Sequence, residues 1–304
     1  MRRSSRIARP AWRASSGIRF GPNTSSATSS TTAISSGPIW GMALLSRARP
    51  DPGAPVRIVP PGPGGPAAGR VRHNGPVVIT FAHRGGCAHA PENTLAAFRT
   101  GLGLGAGGLE SDVWLSRDGQ PVLVHDDRFR RGLRRIDVRR TDAAALARFG
   151  VPRLADLFDE LGNDFELSLD VKEPGAARAT VEVLRRHGAP ERSWLCSGSL
   201  SLLEDVRAEA PDVKVVHSRR RDRIGTELEA HAARLAALGV DAMNMHHTDW
   251  NPGLVTLFHR FSVRAFAWDT QHVRTLRAML ECGVDAVYAD RVDRMVATVA
   301  EWVA

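Results

Sequence analysis

Lysine is nearly absent from this sequence: only Lys172 and Lys214 occur in 304 residues, although Lys and Arg together number 41. Positive charge is carried by arginine, so each lysine is a candidate for work that a guanidinium would not do. Cysteine is equally sparse. Cys87, Cys196 and Cys282 form an odd set with no C-x-x-C spacing, which argues against a disulfide framework or a zinc site. Free thiols in a reducing, cytoplasmic compartment are the simplest reading. Long apolar runs are missing as well. No stretch approaches the ~20 residues of a membrane-spanning helix, while the hydrophobic fraction of 43% is ample for a large core.

The net charge of +8 is unevenly distributed. Residues 1–76 hold eleven Arg, no Lys and a single acid, Asp51, and so carry +10; residues 77–304 sum to −2. A nucleic-acid binder carries its basic footprint on the folded domain, so this split argues against such a partner. Residues 1–76 are rich in Ser, Thr, Pro, Gly and Arg and cannot bury enough apolar surface to offset the entropy of ordering. They read as a disordered tail. Arg2 and Arg3 resemble a signal-peptide n-region, but Ile39–Leu45 is too short for the apolar stretch that should follow. Translation from Met42 or later is an alternative.

From Val77 onward, short apolar runs alternate with amphipathic stretches, the βαβα pattern of a parallel sheet. Eight strands are expected, at 77–82, 108–114, 166–171, 193–197, 213–217, 241–246, 263–267 and 284–288. Helices are expected at Ala176–His187, Leu200–Ala210, Glu227–Leu238, His272–Cys282 and Arg291–Val303, with Gly188, Gly239 and Gly283 at C-cap positions. Eight strands in this length fit one α/β domain, a (β/α)₈ TIM barrel at 77–304, with an open doubly wound sheet as the alternative. A further run, Val122–Val124, follows Asp118-Gly119, a strong hairpin signal. A two-residue turn there would fold a β-hairpin extension onto strand 2 and set His125 opposite Asp112.

Chemistry-bearing residues fall at the ends of the early strands, the face on which such barrels build active sites. Strand 1 ends in His83-Arg84-Gly85. Glu110 and Asp112, two apart on strand 2, point to one face. Two carboxylates there repel each other and are costly to desolvate, and a bound cation relieves both costs. Strand 3 puts Asp170 and Lys172 on one face in the same way. Oxygen ligands favour Mg²⁺ or Ca²⁺ over zinc. Asn93 is a candidate cap for the helix beginning near Thr94, and Glu92 beside it can reach a metal.

Together, His83-Arg84-Gly85, Pro91-Glu92-Asn93-Thr94, Glu110-x-Asp112, Asp118-Gly119 and His125-Asp126 resemble the signature of the glycerophosphodiester phosphodiesterases in order and spacing. Val151-Pro152-Arg153-Leu154, Trp268–Gln271, Gly283-Val284-Asp285-Ala286 and Asp290 resemble later segments, so the resemblance spans roughly 80–295. It implies hydrolysis of glycerophosphodiesters to sn-glycerol 3-phosphate and an alcohol, with one divalent cation, Mg²⁺ or Ca²⁺. It implies Glu110, Asp112 and Asp170 as metal ligands with Glu92 nearby, His83 and His125 as the acid–base pair, Arg84 and Lys172 as phosphate contacts, and Trp268 in the glycerol pocket. Asp170 stands where the family usually has Glu. The alternatives are another lipid-derived diester, as in a lysophospholipase D-like enzyme, or a non-catalytic diester-binding barrel. No role is evident for His89. The Arg-rich stretch after His125 reads as a solvated basic loop.

Overall fold

The computed structural model describes residues 78–304; the tail expected at 1–76 lies outside the described residues. Eleven strands are present among them: β1 Ile79–Ala82, β2 Gly108–Leu115, β3 Pro121–Leu123, β4 Arg128–Arg131, β5 Arg134–Asp137, β6 Glu166–Val171, β7 Ser193–Ser197, β8 Lys214–Ser218, β9 Ala242–His246, β10 Arg264–Trp268 and β11 Ala286–Ala289. The helices are α1 Leu95–Gly103, α2 Ala143–Ala147, α3 Leu154–Leu161, α4 Pro174–Arg186, α5 Leu200–Glu209, α6 Leu228–Ala237, α7 Pro252–Arg260, α8 Val273–Cys282 and α9 Val292–Val303.

Eight strands pair in parallel in the order β1-β2-β6-β7-β8-β9-β10-β11, and β11 pairs back onto β1, closing the barrel. The eight expected strands and five expected helices are all present, each within a few residues of its expected ends. Gly188, Gly239 and Gly283 take positive φ just past α4, α6 and α8, where the left-handed conformation ends a helix without a Cβ penalty.

Strand alternation divides the core in two. Phe81, Trp194, Cys196, Val216, Ala242, Phe266, Ala286 and Tyr288 cluster inside the barrel, with Phe81 stacked on Tyr288 at 4.7 Å and Trp194 edge-on to Phe266 at 4.9 Å. Their neighbours one residue along, such as Leu195, Val215, Ala265 and Val287, join the larger cluster that includes buried side chains of the surrounding helices. Complete burial of a side chain such as Phe81 or Phe266 contributes on the order of 2–3 kcal/mol. Continuing the inward parity by steps of two leads to His83 just after β1, Glu110 and Asp112 on β2, Asp170 on β6 and Lys172 just after it, His246 on β9, Trp268 on β10 and Asp290 after β11. Thus the period that fills the core also delivers the polar groups to its C-terminal mouth.

The hairpin forms, but its register differs from the expected one. Val113 pairs with Leu123 and Trp114 with Val122, and the loop is three residues long, closed by Gly119 N–H to Ser116 O (2.9 Å) and Ser116 N–H to Gln120 O (3.0 Å). A two-residue type I′ turn needs positive φ at both central residues. Only Gly119 has it, at 76°, while the Asp118 carboxylate is held by Ser116 Oγ and Ala143 N–H. A bulge results, and Val124 rather than His125 faces Asp112, donating to its carbonyl at 3.0 Å.

The Arg-rich stretch is also more ordered than a loop. β4 and β5 form a two-stranded hairpin because Phe129 and Ile136 pack toward Val122, Val138 and Phe149. Its outer face and tip remain solvated, including Arg130, Arg131, Arg134, Arg135 and a fully exposed Leu133. No helix among the described residues is long and apolar enough to cross a membrane.

Candidate active site

The turn after β1 is pressed against α1. A Cβ at Gly85, whose φ is 81°, would lie 2.8 Å from Phe98, and one at Gly101 would lie 2.8 Å from the Gly85 carbonyl. Only glycine fits at either position, and the close approach fixes His83 and Arg84 at the mouth. Arg84 itself takes a left-handed φ of 50°. Its amide donates to Glu110 Oε2 (2.9 Å) and its Nη1 to Glu92 Oε2 (2.9 Å). Arg84 Nε is buried without a hydrogen-bond partner, 3.8 Å from Asp112 Oδ2. A buried donor left unsatisfied is costly, so this one marks a place where an anionic oxygen would be welcome.

Glu110 and Asp112 are buried, and Asp112 is the register partner of Asp170 on β6. Lys172 Nζ sits between those two, 2.8 Å from Asp112 Oδ1 and 2.6 Å from Asp170 Oδ2. Burial opposes charge on Asp112, yet Lys172, His125 and Arg84 hold its carboxyl below the usual range. Burial likewise works against the Lys172 ammonium, and the two carboxylates still raise its pKa. Glu110 has no such ammonium. Burial pushes it up to about 7, with Asp112 and Asp170 adding to the effect and His83 and the Arg84 amide opposing it.

His83 donates or accepts through Nδ1 at 2.6 Å from Asp290 Oδ1, and its Nε2 lies 3.8 Å from Glu110 Oε2. Burial disfavours the imidazolium, but Glu110 and Asp290 outweigh it and raise its pKa well above the ordinary value. Asp290 is lowered to about 2, chiefly by that hydrogen bond. His125 follows β3, with Nδ1 2.8 Å from Asp126 Oδ1 and its carbonyl accepting from Trp114 Nε1 at 3.1 Å. Although the register sets it one residue away from the expected pairing, its charge still acts on Asp112.

Several expectations change. Asn93 is not the cap of α1; Thr94 is, accepting from Ala97 N–H at 3.2 Å. Asn93, at φ 55°, instead takes a hydrogen bond from Ser111 Oγ (2.7 Å) and gives one to Asp112 Oδ2 (3.2 Å), bracing the carboxylate. A buried Asn two residues before a helix, facing a buried Ser-Asp pair, was the signal. Glu92 contacts Arg84, a half-exposed pair, and no contact joins it to the other carboxylates. His89 pairs with Asp293 at 3.1 Å. The His83–Asp290 pair was not anticipated, although the parity of β11 points to it. Trp268 lies on the opposite side of the mouth, edge-on to His246 at 4.5 Å.

The donor set at Glu110, Asp112 and Asp170 is all oxygen, which suits Mg²⁺ or Ca²⁺. It also fits a cation electrostatically, because an ammonium already bridges two of the three, and the third, Glu110, is enclosed with only the His83 imidazole 3.8 Å away to balance it. The three do not close on one point. Among the described residues, two groups have donor atoms all within 4.8 Å of one another, His83/Cys87/Asp290 and His246/His247/Asp269.

A closed parallel barrel whose mouth gathers buried carboxylates, a bridging lysine, an unsatisfied arginine and a carboxylate-held histidine defines a class: barrel enzymes that act on anionic, oxygen-rich substrates. Comparison narrows it. Residues 83–294 match the model of the glycerophosphoryl diester phosphodiesterase family, and the chain belongs to that family. It is 28% identical over 236 residues to a glycerophosphodiester phosphodiesterase of Caldanaerobacter subterraneus, covering 70% of this chain and 93% of that protein. It is 28% identical over 259 residues to a probable glycerophosphodiester phosphodiesterase 2 of Mycobacterium tuberculosis, covering 76% and 93%. Among solved structures, the glycerophosphodiester phosphodiesterase of Thermotoga maritima superposes with a TM-score of 0.64 at 25% identity, covering 72% of this chain and 97% of that one.

Proposed function

We propose that residues 77–304 form a catalytic domain that hydrolyses glycerophosphodiesters to sn-glycerol 3-phosphate and an alcohol with the help of one divalent cation. The observation that carries this reading is the convergence of Glu110, Asp112, Asp170, Lys172, Arg84 and His83 on one side of the barrel mouth, in a member of this family. Glu110, Asp112 and Asp170 would hold Mg²⁺ or Ca²⁺, and Glu92 would stay close through Arg84. When bound, the ion supplies positive charge to a non-bridging phosphate oxygen.

The chain's own groups do the rest. Arg84, with its free Nε, and Lys172 bind and orient the phosphate. His83, kept charged by Glu110 and Asp290, delivers its proton to the leaving alkoxide as the P–O bond breaks. His125 takes a proton from the attacking oxygen as the new P–O bond forms. Trp268 across the mouth packs against the glycerol moiety. Asp170 in place of the usual Glu is one methylene shorter, and Lys172 reaches it directly.

A second reading is favoured by the hairpin that follows His125. Arg130, Arg134 and Arg135 have no acidic partner among the described residues, and Leu133 projects between them, a surface suited to a lipid-derived diester. One experiment separates the readings. The full chain is stripped with EDTA and resupplied with Mg²⁺ or Ca²⁺, and products are identified from glycerophosphocholine, glycerophosphoinositol and a lysophospholipid. Turnover that survives chelation removes the cation from the scheme, and no turnover of any diester leaves only a binding role.

A further inference from the structure

Across the mouth from the carboxylates, four places round the ring from β2 and β6, β9 and β10 end in His246 and Trp268. The residues that follow the two strands are His247 and Asp269. Donor atoms of His246, His247 and Asp269 all lie within 4.8 Å of one another. His246 Nε2 is 3.0 Å from Asp269 Oδ2, and its Nδ1 is bracketed by Thr248, with the hydroxyl at 2.7 Å and the backbone N–H at 3.2 Å. The two imidazole rings are 4.3 Å apart. Asp269 holds a left-handed φ of 62°. The nearby cation, Arg220, is engaged with Asp249 at 2.8 Å.

We propose that His246, His247 and Asp269 form a second cation site, for a borderline transition-metal ion of the Zn²⁺ type rather than Mg²⁺ or Ca²⁺. Two imidazole nitrogens and one carboxylate oxygen make the nitrogen-rich donor set such ions select, and three protein ligands leave one tetrahedral position open. With an ion on Nε2 the ring's proton sits on Nδ1, and the Thr248 hydroxyl 2.7 Å away can accept it, as the second partner of a ligating histidine does. The His246–Asp269 contact requires a proton or a cation between the two atoms; a metal ion would take the place of that proton, which moves to Nδ1 so that the ligand stays a neutral imidazole. His247 adds a ring whose donor atom lies within 4.8 Å of those of His246 and Asp269. Occupancy would set a positive charge beside Trp268, on the far side of the mouth from the oxygen cluster.

The test uses Co²⁺ as the probe. The full chain is stripped of metal and titrated with Co²⁺ while visible absorption is followed. Tetrahedral coordination by nitrogen and oxygen gives intense bands, whereas an octahedral oxygen site gives faint ones. The expected result is a set of tetrahedral bands that saturate with a single equivalent, are displaced by Zn²⁺, and require about tenfold or more Co²⁺ in both His247→Ala and Asp269→Asn. Asp269→Asn preserves size, so its circular dichroism serves as the folding control. Tetrahedral bands unchanged in both variants overturn the proposal. So does their loss only in Cys87→Ser, which would locate the ion at His83, Cys87 and Asp290, or their absence from the wild-type protein.

Discussion

On the β2–β6 side of the mouth the inward positions carry Glu110, Asp112, Asp170 and Lys172; on the β9–β10 side they carry His246 and Trp268. The strands run in parallel on both sides and follow the same inside–outside alternation, so backbone geometry does not distinguish them. Burial of charge does. Glu110 and Asp112 are almost fully enclosed and must be compensated by Lys172, Arg84 and His83, while the opposite side carries Trp268, two imidazoles and the exposed Asp269 carboxylate. The two sides therefore differ in how deeply charge is enclosed: the carboxylates of β2 sit inside the wall, whereas the Asp269 carboxylate stays exposed.

The largest expected effect lies on the charged side. His125→Ala should lower kcat on a glycerophosphodiester by about 10²–10⁴-fold with the fold intact, the range for loss of a general acid or base. Steady-state assays with circular dichroism as control check it, and near-normal turnover would break the contrast, since the charged side would then lack one of its proton carriers. Lys172→Ala comes next. Removing one partner of an enclosed ion pair costs about 3 kcal/mol, so thermal unfolding of the metal-free variant should occur well below the wild type. Added Mg²⁺ or Ca²⁺ should recover part of that loss. An unchanged Tm would mean that the Asp112–Lys172–Asp170 cluster contributes nothing to stability.

Asp290→Asn sharpens the role of His83. The carboxylate raises the imidazole pKa, and a proton donor loses activity as pH rises through its pKa. The variant should therefore shift the alkaline limb of the pH–kcat profile to lower pH; an unmoved limb would remove His83 as the donor. Its effect on stability has a window. A raised His83 contributes fully below the ordinary imidazole value of ~6.5 and fades as pH climbs through the raised one. On the acid side, the depressed Asp290 contributes fully above ~3.9 and fades toward about 2. Urea unfolding at neutral and alkaline pH reads the difference, which should shrink as pH rises. Leu133→Ser is the smallest. At a solvated hairpin tip it should change stability by less than about 0.5 kcal/mol and leave soluble diesters unaffected. A selective fall in lysophospholipid turnover would support the lipid reading, and equal turnover would remove it.

Much of this arrangement was legible along the chain, because its information is local and periodic. Glu110 and Asp112 share a face by the two-residue period of a strand, and so do Asp170 and Lys172, whatever they pack against. The turn at Gly119 was legible as a turn but not in its length. Asp118 has hydrogen-bond partners in Ser116 and Ala143 that hold it out of the left-handed region, and the Ala143 bond comes from a distant segment. Asn93 was misassigned for a related reason. Its partners Ser111 and Asp112 lie across a strand–helix gap, whereas a capping role depends only on neighbours.

Sequence alone determined the eight barrel strands and their period, the family motifs and the identity of the groups at the strand ends, because each depends on spacing within one segment; the β4–β5 hairpin it did not. Tertiary structure decided which of them meet. Barrel closure brings Asp290, just past the last strand, to His83, just past the first, and the pairing of β2 with β6 sets Lys172 between two carboxylates. It also puts Trp268 on the side opposite Glu110, because position round a closed ring depends on every strand between them.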